Sequence, residues 1–363
     1  MSDSSRPASL PERPNLEQLK KQAKELRTGG AHPSLAAAQR ALAQQYGFAS
    51  WAKLKLAVEL ITLKRWIEDG DAGPVRTLLE SSPRLAKARF DDGSMPLHLA
   101  AGENRPEVID VLLEFGAPLA TKYGASGHSA LSWAVTCWAH DAALRLIERG
   151  STPDLFSAAG LGLVDRVREF WPDGKLRRRP SKTGSSRYSD AGERLPSPPA
   201  SDADQVSDAL YIACRSERVE VARWLLDHGA DPNWLGYAGA SCLAWAEFSG
   251  NAELCALLRE RGGSEELVDQ QYRATPRAFA LMVFAGWGFP RQLIARLTVD
   301  RSLVAVTGGR GTLLHAAADG GQEVTAKILL AFGADRKARD PDGRTPAEVA
   351  GAQGHTALAA LLA

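Results

Sequence analysis

No apolar run in this 363-residue chain is long enough to cross a bilayer. The longest uncharged apolar run, Ala278 to Pro290, has 13 residues, against roughly 20 for a spanning helix. The opening MSDSSRPASLPERP has no apolar core, so a secretory leader is not expected; a cytoplasmic protein without a membrane partner is. An excess of charge of either sign is also missing. Lys+Arg 44 against Asp+Glu 43 gives a formal net charge of +1, which supplies no global field to hold a polyanion, so a nucleic-acid partner would need a local patch. The four cysteines (Cys137, Cys214, Cys242, Cys255) contain no C-x-x-C pair and sit among core-type neighbours, which favours buried free thiols over disulfides or zinc ligands.

Catalytic signatures are scarce as well. There is no H-E-x-x-H and no G-x-S-x-G elbow. GLGLVD at Gly160 lacks the third glycine and preceding strand of a dinucleotide loop, and GGRGTL at Gly308 lacks the G-K-[ST] that holds phosphates and Mg²⁺. Glu265 and Glu266 adjoin near an expected helix end, where a solvated face is the simpler reading. No catalytic residue, metal site or cofactor is expected.

What is present is apolar material, 44% of the residues, arranged with a period. With Thr312 as phase marker, the frame recurs at Met95, Ser129, Pro153, Asp208, Ser241, Phe279, Thr312 and Thr345, at intervals of 34, 24, 55, 33, 38, 33 and 33 residues. A period of this length marks a stacked array. Each unit reads as two short helices. Small residues (Ala100 and Ala101, Ala158 and Ala159, Ala317 and Ala318) place the first helix close against its neighbours. The second carries apolar residues at i, i+3 and i+4, such as Val108, Val111 and Leu112 or Val221, Trp224 and Leu225, and so has one buried stripe. It ends at Gly116, Gly150, Gly229, Gly262 or Gly333, 21 residues after the marker, where a left-handed cap favours glycine. Asp92-Gly93 and Asp342-Gly343 are turn dipeptides ahead of the next unit.

MPLHLAA, TLLHAAA, LLDHGADPN and ILLAFGADRKARD resemble the opening and closing motifs of ankyrin repeats. The resemblance covers about Ile61 to Ala363 and departs from the pattern at the 24-residue interval, at the long insertion that follows, and at the unusually apolar Phe279 unit. It implies an all-α solenoid of stacked helix-turn-helix units. It also implies that the recurrent histidine is scaffold, bonding backbone groups of adjoining loops. The occupants of that slot are His98, Ser132, Phe156, Tyr211, Ala244, Met282, His315 and Glu348, an exchange no proton shuttle or ligand set would be expected to survive.

Four regions are expected. Residues 1–60 form an N-terminal helical cap: NLEQLKKQAKEL puts Leu16, Leu19, Ala23 and Leu26 on one face behind Asn15 as N-cap. A helix from Ser34 to Tyr46 stops at Gly47, and a third begins behind Ser50, with Phe48, Trp51 and Leu54 as its packing stripe. This leader resembles that of some bacterial ankyrin proteins. Residues 61–172 and 207–363 are two repeat blocks. Between them, 173–206 is rich in Ser, Pro, Gly and charge and reads as a disordered internal loop. Its Lys175–Arg187 half holds six basic residues and no acid, with only Tyr188 nearby to stack on a base.

The function expected is a non-enzymatic scaffold, a monomer, that binds a protein partner through finger tips and the concave helix face. Large or charged finger residues are the candidates: Arg89, Phe90, Asp92, Lys122, Tyr123, Trp234, Tyr237, Arg336, Lys337, Arg339 and Asp342. Two other readings stay open. One is a nucleic-acid adaptor using the 175–187 segment and the first helix (Lys20, Lys21, Lys24, Arg27, interrupted by Glu17 and Glu25). The other is an enzyme whose site is assembled from distant residues.

Overall fold

The structure is a computed structural model. It describes residues 8–11, 13–91, 93–122, 127–177, 201–236 and 239–363, and the backbone of 187–188 and 194–195. The chain forms two compact units, 1–152 and 153–363. Among the described residues no helix is long and apolar enough to cross a membrane.

The first unit contains α1 (Leu16–Thr28), α2 (Leu35–Gln45), α3 (Trp51–Asp69), α4 (Ala72–Ser81), α5 (Pro96–Gly102), α6 (Pro106–Glu114), α7 (Ala130–Thr136) and α8 (His140–Glu148). Capping sets the first three boundaries as anticipated. Asn15 accepts from the N–H groups of Glu17 and Gln18, Ser34 from Ala37, and Ser50 from Lys53. Leu19, Ala23, Leu42, Ala43, Leu54 and Val58 form one buried cluster, and Phe48 and Trp51 pack against it. The boundary expected at residue 60 falls inside α3. That single 19-residue helix serves the leader with its first half and acts as the inner helix of the first repeat with its second, packing on α4 and α5. Inner helices α3, α5 and α7 stack in sequence, as do outer helices α4, α6 and α8.

The second unit runs α9 (Leu155–Leu161), α10 (Val164–Arg168), α11 (Asp202–Arg215), α12 (Val219–Asp227), α13 (Cys242–Ser249), α14 (Ala252–Glu260), α15 (Pro276–Gly286), α16 (Pro290–Val299), α17 (Leu313–Asp319), α18 (Glu323–Phe332), α19 (Pro346–Ala352) and α20 (Thr356–Leu362). Its inner helices α9, α11, α13, α15, α17 and α19 pack each on the next. Because α9 meets α11 directly, the 55-residue interval leaves the stack unbroken. Helix α11 begins at Asp202 with a capping box from Ser201 and Asp204, inside the segment expected to be loop. Upstream, the backbone of Arg187–Tyr188 (β1) pairs antiparallel with Arg194–Leu195 (β2); the rest of that segment, from 178, lies outside the described residues. A second antiparallel pair, Thr307–Gly308 (β3) with Gly311–Thr312 (β4), precedes α17.

The paired inner-helix alanines Ala100 and Ala101, Ala158 and Ala159, and Ala317 and Ala318 are wholly buried, which lets backbones approach closely. The outer-helix glycines 116, 150, 229, 262 and 333 all have φ between +79° and +100°, the left-handed cap their spacing suggests. A second left-handed position recurs nine residues after each phase marker, and at the equivalent place after α3, in the turn from inner to outer helix. Gly70, Asn104, Trp138, Gly162, Glu217, Gly250, Gly288, Gly321 and Gly354 occupy it, with φ from +54° to +82°. Three repeats hold a side chain there against its steric preference. Asn104 uses the position to reach the next repeat, accepting from the Ala142 N–H at 2.8 Å. Glu217 is exposed, so Glu217→Gly should stabilise the chain by about 1 kcal/mol, read as a rise in the chemical-denaturation midpoint.

Arginines tie neighbouring repeats. Arg105 donates to the Glu68 carbonyl at 2.5 Å and Arg218 to the Gly160 carbonyl at 3.2 Å. In each case the residue ten after one marker reaches the carbonyl seven after the preceding one.

Candidate partner-binding surface

Each finger is the link from an outer helix to the next inner helix, and three of the described fingers share one construction. In the first unit the Phe90 N–H donates to the Ser94 carbonyl, and the Gly93 N–H donates to the Phe90 carbonyl. In the second unit Gly236 pairs with Ala240 and Gly239 with Gly236, and then Asp340 pairs with Arg344 and Gly343 with Asp340, in the same register. Two of the anticipated residues brace these turns. Arg89 Nη1 donates to the Gly93 carbonyl at 2.9 Å, and Arg339 Nη1 does the same to the Gly343 carbonyl. Beneath the last finger, Asp340 accepts from the Arg344 N–H at 2.8 Å and from its guanidinium at 2.9 Å.

Burial of Asp340 opposes its ionisation, but the Arg344 N–H and guanidinium outweigh this and hold the carboxyl below its usual range. A depressed folded-state value means the contribution is complete above the unfolded aspartate value, about 3.9, and is lost as pH falls through the lower folded value. Hydrogen exchange of the Gly343 and Arg344 amides is therefore expected to accelerate below about pH 4, ahead of amides in the inner helices.

The two histidines answer the question their motif raises. His98 Nε2 lies 3.3 Å from the His128 carbonyl and His315 Nε2 3.0 Å from the Arg344 carbonyl, the same cross-repeat contact in two places. The Thr312 N–H donates to His315 Nδ1 at 3.2 Å, which leaves Nε2–H as the donor to Arg344. His315→Ala should cost about 1–3 kcal/mol, because both backbone groups lose a buried partner; the second unit's denaturation midpoint reads it. Burial pushes the Cys214 thiol well up, with Cys242 adding to it, and burial beside Glu247 takes Cys255 to about 11. These are packing residues and poor nucleophiles at neutral pH. Among the described residues no group of three or more His, Cys, Asp or Glu could hold a metal ion.

The candidate residues divide by what the fold does with them. Trp234 is half-buried, and its indole N–H donates to the buried Asp208 carboxylate at 3.3 Å, so it secures its own repeat. Phe90 is also half-buried. Arg336, Lys337, Asp342 and Lys122 are exposed, and Asp342 pairs with Arg344 at 2.8 Å. Asp92, Tyr123 and Tyr237 lie outside the described residues.

Around the anticipated Asp342 the fold also gathers residues that sequence reasoning passed over. A cleft of about 480 Å³ opens between the last fingers of the second unit, where Arg273, Arg310, Asp319, Asp342 and Arg344 converge above His315. Its two loops are built for position. Buried Asp269 accepts from the Tyr272 N–H at 2.6 Å and the Ala274 N–H at 2.9 Å, which turns Arg273 between them to φ +48°. The Gly309 N–H donates to the Arg273 carbonyl at 3.0 Å, locking the β3–β4 hairpin, with Arg310 at its tip, onto that loop. Exposed Arg310, Arg336 and Lys337 form no ion pair with a described residue. The only available signal for this cleft was GGRG, a two-residue hairpin loop that invited a nucleotide-loop test instead.

On α1, two of the four cations are paired, with Lys20 2.6 Å from Glu17 and Lys21 3.9 Å from Glu25. Beside exposed Lys175 and Arg177 the fold assembles three aromatic rings from distant positions. Trp224 and His228 stack at 3.6 Å, and Trp171 meets Trp224 edge-on at 4.7 Å. These rings spend their faces on one another.

Comparison with known proteins agrees with this construction. The Ankyrin repeat family matches at residues 92–121, 208–234 and 311–341. The chain is similar to the nuclear factor NF-kappa-B p105 subunit of Gallus gallus, 30% identical over 160 residues. That alignment covers 44% of this chain and 16% of the relative, so the chain spans a small part of that protein's length.

Proposed function

The chain is an ankyrin-repeat protein, and from that premise we propose a non-enzymatic, cytoplasmic interaction scaffold that holds an acidic segment of a protein partner against the last fingers of the second unit. The observation that carries this is the trio of exposed cations, Arg310, Arg336 and Lys337, that form no ion pair with a described residue and stand on neighbouring fingers that are braced from beneath. Side chains on a rigid frame lose little freedom on association, and arginine is favoured at interface centres. Asp342 and Arg344 already satisfy each other and set the cleft's far wall.

The test is capture of partners from the native cell by the full chain and by Arg310→Glu/Arg336→Glu/Lys337→Glu, with Arg291→Glu on α16 as control. Recovery of the specific partner should fall at least tenfold in the triple variant and hold in the control. Equal recovery by all three would refute the finger surface. Against the nucleic-acid reading stand the pairing of Lys20 and Lys21 on α1 with glutamates and the mutual stacking of the rings near Lys175.

A further inference from the structure

The first unit contains a second cleft, of about 460 Å³, lined by the start of α1, by α3 and by α4. A volume of this order suits a small organic molecule. Its apolar walls are buried Val58 and half-buried Leu16, Trp66 and Leu78.

Four charged side chains also line it, and they differ in what balances them. Glu17 is met by Lys20 at 2.6 Å. Buried Glu59 is met by Lys55 at 3.4 Å, by Arg84 at 3.9 Å and by the Ser82 hydroxyl at 3.1 Å. Lys20, Lys55 and Arg84 are not among the lining residues, so both acids are balanced from outside the cleft. Arg13 and Arg65 have no such counterpart, since neither forms an ion pair with a described residue. Arg13 is exposed, whereas Arg65 is half-buried, a guanidinium partly withdrawn from water without a counter-charge. Its central carbon lies 5.9 Å over the Trp66 ring, which holds the charge beside the apolar wall. The charge left unbalanced in the cleft is therefore positive, and it borders apolar surface.

We infer that this cleft binds a small free organic acid, a carboxylate carried on an apolar stem, with the stem against Leu16, Trp66 and Leu78 and the carboxylate held by Arg65 and Arg13. A carboxylate can accept two parallel N–H bonds from one guanidinium. An alcohol offers a single neutral oxygen, and an amine would add to the positive charge already there. The site lies in the other compact unit from the finger surface and does not depend on it.

Calorimetric titration of the full chain at low salt tests this with octanoate, 1-octanol, octylammonium and acetate. The expected result is saturable binding of octanoate, roughly tenfold tighter than octanol, with acetate weaker still and no binding of octylammonium. Arg65→Gln keeps much of the side chain's stem and removes its charge. It should weaken octanoate roughly tenfold and leave octanol unchanged, a split that damage to the apolar walls would not produce. Arg13→Gln, at an exposed position, should weaken octanoate in the same direction. Thr62→Trp, which fills the cleft and spares both arginines, should abolish binding of octanoate and octanol alike; circular dichroism melting verifies that the variants are folded. No saturable binding of octanoate, equal binding of octanol, octylammonium or acetate, unchanged octanoate affinity in the folded arginine variants, or octanoate binding that survives Thr62→Trp would overturn the site.

Discussion

Gly236→Val should unfold much of the second unit. A Cβ at this position would sit 2.0–2.3 Å from the Tyr211 ring, well inside contact distance. Tyr211 is buried and packs edge-on against Trp245 at 6.4 Å, so it cannot swing aside cheaply. Overpacking typically costs 1–3 kcal/mol; with an aromatic ring held on both sides we expect about 3 kcal/mol or more, a large share of a domain's stability. The cause can be isolated, because Gly236 does not adopt a left-handed conformation and space alone demands glycine. Tyr211→Ala creates the missing room, so Gly236→Ala should cost far less in that background than in the wild type. Equal penalties in both backgrounds would show that the ring is not the obstacle. The exchange follows from the array. The Thr312 repeat places His315 in the corresponding slot and Asp340 at the corresponding finger position, whereas this repeat combines a larger slot residue with an empty finger position.

The second large effect is on binding. Reversing Arg310, Arg336 and Lys337 replaces three attractive contacts with three repulsive ones at an interface of opposite sign. We expect at least a hundredfold loss of partner affinity, about 2.7 kcal/mol, mostly through faster dissociation where the contacts are desolvated and through slower association where they are at the rim. Raising salt from low to physiological concentration should weaken the wild-type complex and leave the reversed variant little changed. Trp234→Ala is a poorer probe than its sequence position suggests, because it deprives buried Asp208 of a donor and would lower stability along with affinity.

Much of the fold was legible because repetition multiplies weak signals. One alanine pair says little, but Ala100–Ala101, Ala158–Ala159 and Ala317–Ala318 in a single frame fix the inner helices, and glycine 21 residues after five of the markers fixes the outer ends. Asn15, Ser34 and Ser50 announced their helices through capping chemistry that is local and so readable. The shared helix α3 was not legible, since no breaker marks the point where the leader yields to the first repeat. The left-handed turn nine residues after each marker was written in six glycines but obscured by Asn104, Trp138 and Glu217. The surface was the least readable part. Arg89 and Arg339 look like contact residues in sequence and prove to brace their own turns. Arg273 and Arg310 meet only because Gly309 ties two fingers together, a contact across 36 residues that no local pattern records.

The central claim is that the finger side of the second unit holds a protein partner. Hydrogen exchange with the captured partner tests it most directly. Binding should slow exchange at the fingers 269–274, 307–312 and 335–344 while outer helices α12, α14, α16 and α18 exchange as in the free chain. Protection confined to those outer helices, or none in the second unit, would contradict it.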